Sequence, residues 1–256
     1  MRCYLLLLLG LAIPIAALAQ SERDALPKDL GTRKAGVDWP TFLGPSGDGK
    51  SPEKGILTNW RNLSPEMTGL QRVWSKPLGI GYAPPTVSRG RLFQFDRFSD
   101  KARLYALSAE TGAPLWKYEY ATDYEDLYGY NNGPRCSPIV DGNRVYSYGV
   151  EGMLTCVSAD KGQEIWKVDT FKDFGVVQNF FGVGSAPVIE GELLLVMVGG
   201  SPPESQRLPP GQLDRVTGNG SGIVAFDKRT GKVRYKITDE LASYASMKTA
   251  IIGGRR

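Results

Sequence analysis

The chain has 256 residues, 41% hydrophobic and 23% charged, with a net charge of +4. Its lysines and arginines are scattered, whereas a nucleic-acid footprint would show a basic stripe or block. Histidine is absent, which excludes His-ligated haem and every Ser-His or Cys-His catalytic arrangement within these residues.

In chain order, Arg2 precedes an apolar run from Tyr4 to Ala19, which ends in Ala17-Leu18-Ala19 before the polar Gln20-Ser21-Glu22-Arg23. A charged start, a short apolar middle and a small-x-small exit are the parts of a secretory signal peptide. The run is 16 residues long and is broken by Gly10 and Pro14, whereas a spanning helix needs about 20 apolar residues. Residues 1–19 are therefore expected to be a signal peptide, 20–69 a lead-in linker, and 70–256 the folded unit. The expected product carries no membrane span and is exported to the periplasm or the exterior.

Beyond the lead-in the sequence repeats itself. Three segments share one ending, Tyr105 to Trp116, Thr155 to Trp166 and Val224 to Tyr235. In each, a glycine (Gly112, Gly162, Gly231) lies six residues after a small residue and four before a large aromatic one. Each ending has a matching beginning: Thr86-Val87 precedes Arg89-Gly90, Pro138-Ile139-Val140 precedes Asp141-Gly142, and Pro187-Val188-Ile189 precedes Glu190-Gly191. Glycine supplies the left-handed residue that a tight hairpin turn demands. Each unit thus reads as two hairpins, or four strands; in the second they are 137–140, 144–149, 153–158 and 164–169.

The first two glycines are 50 residues apart and the next two 69. The extra length falls in 199–222, rich in Gly, Pro and Ser, and reads as a loop between the second and third strands of the third unit. Four-stranded antiparallel units at this period describe propeller blades. Trp116, Trp166 and Tyr235 then become structural wedges between blades, and the small residues Ala106, Cys156 and Ala225 leave room for them. Cys136 and Cys156 read as free packing thiols, since a meander places them two strand spacings, about 10 Å, apart, beyond the reach of a disulfide.

The expected fold is all-β: a partial propeller of about three four-stranded antiparallel blades. Arg72-Val73-Trp74 reads as a lone outer strand at its start and 249–252 as the first strand of a fourth blade. Closed propellers have four to eight blades, so this reading expects a longer chain, or else two copies that pair.

The motif Ala106…Thr111-Gly112…Trp116 resembles the tryptophan-docking motif of the pyrroloquinoline-quinone (PQQ) repeat propellers, over about residues 70–256. The second unit departs from it at Cys156, Ser158 and Lys161, the third at Tyr235. The segment Asp38-Trp39-Pro40…Gly44-Pro45…Asp48-Gly49 resembles the lead-in of secreted bacterial members. The family includes quinoprotein dehydrogenases, which hold PQQ and calcium, and a non-enzymatic outer-membrane assembly lipoprotein. The dehydrogenases carry an adjacent Cys-Cys pair and the lipoprotein a lipidated cysteine, and this sequence matches neither.

Loops from one blade's last strand to the next blade's first approach the axis, where propeller ligands sit. Tyr130, Asn131, Asn132, Arg135, Gln178, Asn179 and Phe180 are candidates to line one concave surface, combining aromatic stacking area with amide donors and acceptors. The acidic trio Asp123, Glu125 and Asp126 reads as a solvated loop, although several oxygen ligands are what calcium wants. No catalytic residue, metal site or cofactor is expected. The leading function is an exported, non-catalytic scaffold for a protein or saccharide partner in the envelope, monomeric if the ring is complete. The alternative is part of a PQQ- and calcium-dependent dehydrogenase.

Overall fold

The computed structural model describes residues 25–33, 35–56 and 72–255. The leader expected over 1–19 and the linker boundary at 69 lie outside them. Among the described residues twelve strands form three antiparallel meanders. The first sheet is β1 (Thr86–Ser88), β2 (Arg91–Phe98), β3 (Lys101–Ser108) and β4 (Pro114–Ala121). The second is β5 (Ile139–Asp141), β6 (Arg144–Tyr148), β7 (Met153–Ser158) and β8 (Glu164–Asp169), followed by the short helix α1 (Thr170–Phe174). The third is β9 (Val188–Glu190), β10 (Leu193–Met197), β11 (Ile223–Asp227) and β12 (Val233–Ile237). These are the blades of a partial propeller.

Register makes the repeat exact in atoms. Ala106 pairs with Trp116, Cys156 with Trp166 and Ala225 with Tyr235, and each ladder slips by one residue immediately afterwards. That bulge turns the chain into the glycine turn. There Gly112, Gly162 and Gly231 adopt φ of 70°, 68° and 71° and donate to Ser108 O, Ser158 O and Asp227 O.

The middle sheet is buried on both faces because its strands alternate. Val145 and Val157 pack with Phe93, Phe95, Leu104 and Ala106 of the first sheet. Tyr146, Tyr148, Leu154 and Cys156 pack with Leu194, Val196, Val224 and Phe226 of the third. The period of two along a strand thus builds two cores from one sheet. Cys136 and Cys156 are buried and free.

The docking aromatics lock neighbouring sheets. Trp116 Nε1 donates to Ala159 O at 2.9 Å and Trp166 Nε1 to Lys228 O at 3.1 Å. Phe93 and Tyr146, equivalent in register, each tilt against their sheet's tryptophan, at centroid distances of 5.8 and 5.9 Å.

Two expected strands are corrected. Arg72-Val73-Trp74 is not in a strand, and 249–252 forms none beyond an isolated bridge from Ile252 to Arg255. Among the described residues neither segment has a sheet neighbour to complete its ladder. Trp74 nevertheless docks as the others do, its Nε1 donating to Ala109 O at 3.1 Å beside Gly112. Tyr235 is 45% exposed: no described sheet lies on its outer side, so it wedges nothing here.

The lead-in lies along the inner edges of the first two sheets. Trp39 exchanges both backbone hydrogen bonds with Val87 of β1 at 2.9 Å, and Val140 of β5 donates to Pro40 O at 2.9 Å. Otherwise unpaired strand edges are thereby covered.

Candidate functional site

At one end of the sheets four segments meet: the approach to β1, the loops β4–β5 and β8–β9, and the chain after β12. Register shows how they are related. Thr86, Ile139 and Val188 pair with Phe93, Tyr146 and Leu195, so the residue four positions before each of them is equivalent. Those residues are Tyr82, Arg135 and Gly184, and all three line one cleft of about 340 Å3 with Asp126, Tyr130, Phe181 and Tyr244. An adjoining cleft of about 270 Å3 is lined by Tyr128, Tyr130, Phe180 and Phe181.

The β4–β5 loop owes its shape to side chains that cap its own backbone. Asp126 Oδ1 accepts from Tyr128 N, Asn131 Oδ1 from Gly133 N, and Asn132 Oδ1 from Asp126 N, each at 2.8 Å. Such local acceptors hold a long loop where ladder bonds are unavailable. On the other side, Asp169 caps α1 by accepting from Lys172 N, and Gly175 ends it at φ 69°. That short helix delivers the aromatic pair Phe180-Phe181.

Arg135 ties these loops together. Its Nη2 meets Asp126 Oδ2 at 2.7 Å and Asn131 O at 3.1 Å, and its Nε donates to Phe181 O at 2.7 Å. The guanidinium also lies over the Tyr82 and Phe181 rings, at 5.4 and 5.9 Å from their centroids. The Asp126 side chain is fully buried and that of Arg135 is 10% exposed, so the pair neutralises itself inside the protein. Burial pushes the Tyr124 phenol beside it up to about 12, despite the opposing effect of Arg135. Tyr244 is raised as well, again chiefly by burial; its hydroxyl accepts from Phe181 N at 3.0 Å.

Around this polar centre the rings pack in stacked and tilted pairs. Tyr128 and Tyr130 stack at 6.0 Å, and Phe181 touches Tyr128, Tyr130, Phe180 and Tyr244 within 6.4 Å. Their outer faces are open: Tyr130 is 71% exposed, Tyr82 60% and Tyr128 57%.

The seven residues singled out from sequence divide. Tyr130, Arg135 and Phe180 line the two clefts. The Asn131 and Asn132 carboxamide oxygens point into the loop backbone, and Gln178 Nε2 donates to Glu125 O at 3.1 Å. Asn179 borders a separate cavity of about 20 Å3, room for one water, where its Oδ1 is buried without a partner. Sequence reading missed Tyr82, Phe181 and Tyr244; the first would have emerged from aligning the units at their innermost strands. Among the described residues no three His, Cys, Asp or Glu side chains group as metal ligands.

A family model described as outer membrane protein assembly factor BamB matches residues 66–238. No curated protein matches. Among solved structures, a europium-containing methanol dehydrogenase aligns over 79% of this chain and 32% of its own, at 16% identity and a TM-score of 0.53. The quinohemoprotein alcohol dehydrogenase of Comamonas testosteroni aligns over 86% of this chain and 30% of its own, at 18% identity and a TM-score of 0.51. BamB from Moraxella catarrhalis aligns over 64% of each chain at 16% identity, with a TM-score of 0.31. This chain therefore spans about a third of the length of the dehydrogenases it resembles, and the likeness is one of fold.

Proposed function

The chain belongs to the PQQ-repeat family described as outer membrane protein assembly factor BamB, and from that premise we propose that it is an exported, non-catalytic scaffold whose axial face binds a protein or saccharide partner in the cell envelope. The observation that carries this reading is the set of open aromatic rings around an internally compensated Arg135–Asp126 pair. Contiguous exposed aromatic surface with a few convergent polar groups is what a recognition surface needs. Among the described residues no helix is long and apolar enough to cross a membrane.

The axial face does not fit the PQQ and calcium of the dehydrogenase reading. PQQ is a polyanion, and the one guanidinium lining the cleft is held by Asp126 at 2.7 Å. Asp126 faces Arg135 and so does not join Asp123 and Glu125 as a ligand set. No chemical step is therefore derived through either group.

Photo-crosslinking in the intact envelope tests the binding reading. A photoreactive residue at Tyr130 is expected to capture one discrete partner, and one at the exposed Lys172 is not. Dye reduction with alcohols that requires added PQQ and calcium would instead establish the dehydrogenase alternative.

A further inference from the structure

The two clefts share a wall, Tyr130 with Phe181. A ligand that covers both faces of that wall must be long enough to reach past it, and because aromatic rings line both clefts, a chain of similar units suits them. Most of the lining is tyrosine and phenylalanine, whose flat faces suit the C–H face of a sugar ring, and a phenolic hydroxyl can both donate and accept hydrogen bonds. The charge at the site is balanced by Arg135 with Asp126, whose carboxylate is fully buried, so a charged ligand meets no unpaired charge, while Arg135 Nη1, buried without a partner, is left as a polar donor. No residue of either lining lies in a strand, so there is no sheet edge to receive an extended peptide by strand addition.

Building on the binding reading above, we infer that the paired clefts around Tyr130 bind an uncharged oligosaccharide, at least one sugar ring to each cleft. Tyr130 is the central platform, Tyr82 the outer platform of the larger cleft and Tyr128 that of the smaller. Arg135 is a positioning residue that holds the two loops in register and contributes the polar edge.

The test is calorimetry and saturation-transfer NMR on the purified full chain with maltohexaose, cellohexaose, xylohexaose, hexagalacturonate and a deca-proline peptide. At least one neutral hexaose is expected to bind, about tenfold or more tightly than its monosaccharide, the step equal to about 1.4 kcal/mol. Tyr130→Ala is expected to weaken it about tenfold while leaving the circular dichroism and denaturation midpoint unchanged, because that ring is 71% exposed. Tyr82→Ala, at a second exposed ring, gives the same direction. Binding of deca-proline or hexagalacturonate alone overturns the inference, as does a hexaose affinity indifferent to Tyr130→Ala. If no probe binds while the Tyr130 crosslink still captures a discrete partner, the inference falls and the scaffold reading stands; if both fail, both are wrong.

Discussion

Trp116 of the first sheet lies against Gly162 of the second: a Cβ on that glycine would stand 2.4 Å from the indole ring, whose Nε1 donates to Ala159 O at 2.9 Å. The same contact recurs between Trp166 and Gly231, and between Trp74 and Gly112, at 2.7 Å. Glycine is required twice over at each place, by the left-handed backbone and by the ring above it.

Gly162→Ala is therefore expected to cost about 2–5 kcal/mol. A left-handed L-residue contributes about 1–2 kcal/mol and overpacking about 1–3 kcal/mol. Urea denaturation of the purified protein reads this out; a loss below about 1 kcal/mol would mean that the sheets separate easily at this seam.

Trp166→Ala and Tyr235→Ala occupy equivalent register positions and should differ sharply. Trp166 is 8% exposed and packed between two sheets, so its removal should cost about 3–5 kcal/mol. Tyr235, half exposed, should cost under about 1 kcal/mol. Equal losses measured by the same denaturation would show that something covers β12 in solution.

Arg135→Ala leaves the buried Asp126 carboxylate without its counter-charge, an expected loss of about 3–5 kcal/mol. The double variant with Asp126→Ala should lose less than the sum of the two single changes, because the second removes the orphaned charge. A double-mutant cycle measures the coupling, and simple additivity would refute the buried pair.

Glu151, in the β6–β7 turn, accepts from Tyr120 Oη at 2.6 Å and Thr122 Oγ1 at 3.2 Å. Burial raises its pKa above the ordinary carboxylate value, these hydrogen bonds opposing. A folded pKa above the unfolded one stabilises fully below the unfolded value, about 4.3, and that stability fades as pH rises through the folded pKa. Between pH 4 and pH 7 the native protein should thus lose stability relative to Glu151→Gln. Paired urea titrations check the sign.

Burial pushes the Cys136 thiol up to about 12 and raises Cys156 as well. Both should resist Ellman's reagent in the native protein and react in guanidinium without prior reduction, since thiolate is the reacting form. A thiol count that rises only after reduction would mean a disulfide.

The repeat was legible because it is local. Glycine turns, alternating strands and the small residue opposite each aromatic recur at fixed short spacings, and each follows from backbone sterics within a dozen residues. The axial loops were legible as loops, and Tyr130, Arg135 and Phe180 as their notable side chains. The Asn131 and Asn132 oxygens cap their own loop, and an asparagine that does so looks, in sequence, like one that faces a ligand.

Sequence alone determined that three four-stranded sheets form and which residue of each must be glycine. Tertiary structure decided which aromatics find a seat: Trp74 docks without belonging to a strand, and Tyr235 stays half exposed in a position equivalent to that of Trp116. It also decided that Tyr82, Arg135, Phe181 and Tyr244 share one cleft. Those residues are spread over more than 160 positions, and no short-range pattern links them. They meet because packing sets the angle between neighbouring sheets, and that angle depends on whole buried faces.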